Sequence, residues 1–112
     1  MNIVEENAGD TLVLGLIGRI DSQTSVDFQA KVQEVLKERD RLLLDFSEVL
    51  YISSAGLRVV LIAAKQIGAV KGKFALCAVK PSIYDIFKIS GFTNILTIYD
   101  TRDQALAEIG DG

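Results

Sequence analysis

The chain has 112 residues, 49% of them hydrophobic, and a formal net charge of −3, which is enough material for one core and within the usual size of one domain. It contains no histidine, so the commonest general base and metal ligand is missing, and Ser-His-Asp catalysis, Cys-His catalysis and most zinc sites are excluded. The 12 Lys and Arg residues are scattered over both halves and form no basic stripe for nucleic acid, and no apolar run approaches the roughly 20 residues that cross a bilayer.

Met1 to Asp10 is acidic where a secretory signal is basic and then apolar, which predicts a cytoplasmic protein. A first strand is expected over Asn2 to Glu6, a turn at Asn7-Ala8-Gly9-Asp10 and a second strand over Thr11 to Gly18, together a hairpin. Asp21 and Ser22 offer N-caps for an amphipathic helix with Phe28, Val32, Val35 and Leu36 on one face, ending near Arg39. Arg41 to Phe46 holds Leu42, Leu43 and Leu44 without alternation, the pattern of a central strand covered on both faces. After Ser47-Glu48, a short piece from Val49 to Ile52 leads through Ser53-Ser54-Ala55-Gly56 into a helix reaching about Val70. That helix is apolar almost all round and should be largely buried; Arg58, Lys65 and Gln66 lie on one narrow stripe, and Ile62 shares it.

Lys71-Gly72 marks a turn, and Lys73 to Val79 reads as a strand in which the single cysteine, Cys77, is a buried structural thiol. Pro81 suits the first position of a helix carrying Ile83, Ile86 and Phe87, and Gly91 should stop it. Ile95 to Tyr99 is the last strand, and Thr101-Arg102-Asp103-Gln104 fits a capping box for a terminal helix with Ala105, Leu106 and Ile109 inward. The order β-β-α-β-α-β-α-β-α predicts one α/β domain spanning residues 1–112, a mixed but mostly parallel sheet of four to five strands with about four helices. No phosphate-cradling glycine motif occurs, no cofactor or metal is implied, and the carboxylates of Asp21, Asp45, Glu48 and Asp85 have the spacing of ordinary surface charge.

The segment Asp45 to Leu57, DFSEVLYISSAGL, is the most specific in the chain. It resembles the signature of the STAS superfamily, in which a strand ending in an Asp-hydrophobic-Ser turn leads through an aromatic-hydrophobic-Asp-Ser-Ser/Ala-Gly-Leu element into a helix. Gly18-Arg19-Ile20-Asp21, Cys77-Ala78-Val79-Lys80-Pro81 and Ile89-Ser90-Gly91-Phe92 are similar to further family elements, so the resemblance covers nearly the whole chain. Within the family the likeness is greatest to free-standing anti-sigma factor antagonists. These regulators are not enzymes: they bind an anti-sigma factor with serine kinase activity when unphosphorylated and are switched off when it phosphorylates one serine. On this resemblance the serine is Ser54, with Ser53 the alternative, and Ser53 stands where the family usually has Asp. It also implies a monomer or weak dimer, with room for a serine phosphatase among the partners.

Each residue of the implied site has a plainer reading beside the functional one. Ser54 reads otherwise as a helix N-cap, Asp21 as a cap or as part of the recognised surface, and Gly56 as a point of close partner approach or of tight helix–strand packing. Ser53, Ala55, Arg58, Ile62 and Lys65 complete the expected partner footprint, and a solvated polar face is the competing account of the last three. Two other readings differ in class. One is a non-switching scaffold subunit of a stressosome-like or transporter-associated assembly, which would be a large homo-oligomer. The other is a receiver-like domain phosphorylated on aspartate, which needs an acidic Mg²⁺ cluster where this chain has only Asp45 followed by Phe46.

Overall fold

The computed structural model describes residues 1–110. Its elements are β1 (Asn2–Ala8), β2 (Thr11–Ile20), α1 (Thr24–Leu36), β3 (Arg41–Ile52), α2 (Ser54–Ala69), β4 (Lys73–Cys77), α3 (Pro81–Ile89), a 3-10 turn (Phe92–Asn94), β5 (Ile98–Tyr99) and α4 (Arg102–Ile109). The strands form one sheet in the order β1-β2-β3-β4-β5, with β1 antiparallel to β2 and every later pair parallel. The element order and the mixed, mostly parallel sheet with β3 at its centre are those the sequence predicts.

Strand alternation divides the core into two. On one face Leu12, Leu14 and Leu16 of β2, with Leu42, Leu44 and Phe46 of β3, pack under α1, α2 and α3 through Phe28, Val32, Val60, Ala63, Ile83 and Phe87. On the other, Val13, Leu43, Ala75 and Cys77 pack under Ala105 and Ile109 of α4. This is why Leu42, Leu43 and Leu44 show no polar alternation: both faces of β3 are covered, and each fully buried leucine contributes roughly 1.5–3 kcal/mol by leaving water.

The ends of elements depart from expectation for local reasons. The hairpin closes more tightly, on the two residues Gly9 and Asp10 between the pair Ala8 and Thr11, with Gly9 at φ +63° where a side chain is strained. The expected break at Ser47-Glu48 is absent. β3 runs unbroken from Arg41 to Ile52, and its pairing with β2 skips from Gly15/Asp45 to Ile17/Glu48 and from Gly18/Val49 to Arg19/Tyr51. At each step β3 spends one more residue than β2, so the polar pair lies on a bulge within a continuous strand. β4 stops at Cys77 because Ala78 turns into the left-handed region at φ +56°, and β5 shrinks to two residues because Leu96 and Ile95 donate back to the Phe92 carbonyl in the 3-10 turn. Pro81 opens α3, and Gly91, at φ +79°, follows its end.

Candidate functional site

The C-terminal ends of β2 and β3 lie side by side, and the Ser53 N–H donates to the Ile20 carbonyl at 2.8 Å, so the turn into α2 sits against the turn into α1. Ser53 has extended backbone and is the N-cap of α2: its hydroxyl accepts from the Gly56 N–H at 3.2 Å, and its carbonyl takes the first helical bond, from Leu57. The cap therefore falls on Ser53. Ser54 is the first residue inside the helix, exposed, with a hydroxyl that has no hydrogen-bond partner among the described residues. It stands beside the N–H groups of Ser54 and Ala55, which have no acceptor one turn back and carry the partial positive charge of a helix start. The division of labour is testable: Ser53→Ala should cost about 1 kcal/mol in urea denaturation, whereas Ser54→Ala should leave stability within about 0.5 kcal/mol of wild type.

Asp21 caps the neighbouring turn. Its Oδ1 accepts from the N–H groups of Gln23 (3.0 Å) and Thr24 (2.9 Å), while its own N–H donates to Thr24 Oγ1 at 2.8 Å. The Thr24 hydroxyl is also 2.9 Å from the Arg19 carbonyl and 3.1 Å from the Asp21 carboxylate, and its one proton serves one of them at a time. The Thr24 N–H foremost holds the Asp21 carboxyl below the ordinary carboxylate value. The carboxylate is thus directed into its own turn, and Ser22 takes no part in the cap with its side chain.

Along α2, Arg58 and Lys65 are exposed and unpaired among the described residues, and Ile62 between them is half-buried. Ser54, Arg58, Ile62 and Lys65 recur at roughly one turn and form one face. Ala55 is half-buried. Gly56 faces inward: a Cβ there would lie 2.7 Å from Ile20 Cγ2 and 2.8 Å from Ile52 Cγ1, so the close seat of α2 on β2 and β3 accounts for this glycine.

Two features beside the site are not apparent from composition or motif. The bulges of β3 turn Leu50 outward, 65% exposed, and leave Tyr51 under the Arg19 guanidinium, 4.4 Å from the ring centre, so an apolar and aromatic patch adjoins the Ser53-Ser54 turn. The second corrects the reading of Asp45 as surface charge. It is buried, its Oδ1 accepts from the Ser47 N–H across the bulge at 2.9 Å, and its Oδ2 accepts from Arg102 Nη2 at 2.7 Å and Nε at 3.0 Å. Arg102 also reaches Glu6 at 2.7 Å and so joins β1, β3 and α4. Burial pushes the Asp45 carboxyl up, but the Ser47 N–H and the guanidinium together outweigh it and hold the group below its usual value. Cys77 is buried nearby, and burial, aided by the Asp45 charge, pushes its thiol up to about 12.

Surface grooves occur away from Ser54, one of about 240 Å³ beside Gln33, Leu36, Ile67 and Val70 and another of about 360 Å³ beside Pro81, Tyr84 and Tyr99. Among the described residues no group of three or more His, Cys, Asp or Glu is arranged to hold a metal ion, and no helix is long and apolar enough to cross a membrane.

Residues 2–105 match the STAS domain family. The Bordetella bronchiseptica protein BtrV, named as an anti-sigma factor antagonist, is 37% identical over 108 residues, covering 96% of this chain and 93% of that protein. A Thermotoga maritima protein described as an anti-sigma factor antagonist shares the fold with a TM-score of 0.92 at 23% identity, over 96% of this chain and 94% of its own. SpoIIAA, also described as an anti-sigma factor antagonist, shares it in its unphosphorylated form (TM-score 0.84, 20% identity, 99% of this chain, 98% of its own) and in its phosphorylated form (0.76, 21%, 96% and 99%).

Proposed function

The chain belongs to the STAS domain family, and from that membership we propose that it is a cytoplasmic anti-sigma factor antagonist, a binding protein without catalytic activity. It captures an anti-sigma factor with serine kinase activity while Ser54 is unmodified and releases it when that kinase phosphorylates Ser54. The observation that carries this reading is the pair of adjacent serines in different roles. Ser53 is spent as the cap, and Ser54 projects a free hydroxyl at the start of α2. A kinase can reach that oxygen without breaking a hydrogen bond of the fold.

The replacement of the family's usual Asp by Ser53 is compatible with this geometry, since serine and aspartate cap a helix equally well. The partner surface takes in Asp21, Ser53, Ala55 and the α2 face of Arg58, Ile62 and Lys65, while Gly56 contributes by seating α2 close against β2 and β3. Support for a protein partner over a small ligand comes from the shape of the site, an exposed helix start bordered by the exposed apolar side chains of Leu50 and Tyr51.

The test is incubation with the cognate anti-sigma kinase and ATP, followed by peptide mass spectrometry. Acid-stable phosphoserine at Ser54 is expected, with no incorporation into Ser54→Ala, which should still capture the anti-sigma factor. Modification of Ser53 alone, or of an aspartate, would overturn the assignment.

A further inference from the structure

The two edges of the sheet differ. β5 has two residues and is packed by α4, whereas β1 has seven and pairs with β2 in unbroken register from Asn2/Ile17 to Ala8/Thr11. Exposed edge strands are ordinarily blunted by proline, lysine, a bulge or short length, because their free N–H and C=O groups template further pairing. β1 has no proline, lysine or bulge and is not short, and the charges it carries, Glu5 and Glu6, are both ion-paired within the molecule. Glu5 pairs with Lys31 at 2.9 Å on the α1 face and Glu6 with Arg102 at 2.7 Å on the α4 face, which neutralises both while leaving the main chain of the edge open. Val4 stands between them, 45% exposed, on a part of the sheet that α4 does not cover.

We propose that β1 is a self-association edge, pairing antiparallel with β1 of a second copy of this chain about a two-fold axis at Val4. A two-residue hairpin closed by Ala8 and Thr11 sends the main-chain groups of Ala8, Glu6, Val4 and Asn2 toward β2, which leaves those of Ile3, Glu5 and Asn7 facing outward. Centred on Val4, Ile3 and Glu5 of one copy exchange main-chain bonds with Glu5 and Ile3 of the other. The two Val4 side chains meet on the open face, and Asn2 lies beside the second copy's Glu6. Centred one residue later, the two Glu5 carboxylates would stand directly opposite each other, which is destabilising. Centred one residue earlier, on Ile3, fewer residues pair, because β1 begins at Asn2, so the Val4 register pairs the strand with itself most fully without opposing like charges, and this favours a second copy over an unrelated strand. The Ser54 turn and α2, which packs against β3 and β4, stay uncovered.

The test combines sedimentation across a concentration series with cross-linking of single-cysteine variants; the buried Cys77 will not compete. Wild type should show a concentration-dependent dimer. Val4→Glu should fold normally, since the side chain is half exposed, and raise the dimer dissociation constant roughly tenfold or more by placing two carboxylates face to face. Mild oxidation should link Val4→Cys across the axis, where directly opposed Cβ atoms lie within disulfide reach, and leave Glu5→Cys unlinked. A monomer at every concentration, a dimer indifferent to Val4→Glu, or preferential linking of Glu5→Cys would each overturn the proposal.

Discussion

Ser54→Asp should abolish capture of the anti-sigma factor while leaving the domain as stable as wild type. The folded state tolerates the charge because the first turn of α2 offers unpaired N–H groups and the positive end of the helix dipole, worth about 0.3–1 kcal/mol to an anion on an exposed helix start. Unfolding midpoints should thus be unchanged or slightly raised. In the complex the same carboxylate would lose its water and face groups that meet a neutral hydroxyl. That costs roughly 3 kcal/mol or more where no cation is supplied, about a hundredfold or greater loss of affinity. Ser54→Asn is the control that separates charge from bulk: nearly the same size and uncharged, it should retain most of the affinity. Titration calorimetry for affinity and thermal denaturation for stability, both on the three proteins, check the two halves. Equal binding by the Asp variant, or equal loss by Asn and Asp, would show that charge at this position is not the switch.

The features legible in the sequence are those set by short-range rules. Pro81 and Gly91 bracket α3, the capping oxygen of Thr101 starts α4, and the repeat of Phe28, Val32 and Val35 marks the buried face of α1. Each follows from local backbone preference or helical period. The bulges of β3 were not legible, because whether Ser47-Glu48 ends a strand or bends it is decided by pairing with β2, some thirty residues earlier. The same long range hides the role of Asp45, whose partner Arg102 lies 57 residues on. In the site, the Ser-Ser-Ala-Gly-Leu motif identified the turn but not which serine caps it. That is settled by one 3.2 Å bond from Gly56 to Ser53.

Arg102→Met should be the most destabilising change at any charged position, lowering unfolding free energy by about 3 kcal/mol at neutral pH, with a melting temperature down by roughly 10 °C. The reason is asymmetric burial. The Asp45 side chain is only 10% exposed and, without the guanidinium, would be left to Ser47 alone for its hydrogen bonds, whereas Arg102, 33% exposed, can recover water when Asp45 is removed. Asp45→Ala should accordingly cost less, about 2 kcal/mol, although both variants unpin α4 from β3. The pH dependence separates electrostatics from lost packing. Since the folded Asp45 carboxyl titrates below its unfolded value of 3.8, the stabilisation it supplies is complete above that value and disappears as pH falls through the lower folded one. Removing the cation raises the folded value, so wild type and Arg102→Met should differ most at neutral pH and converge on acidification, as the carboxyl is neutralised in both. Urea denaturation from neutral pH down to the acid limit of folding measures this, and a gap between the two proteins that stays constant over that range would assign Arg102 a packing role alone.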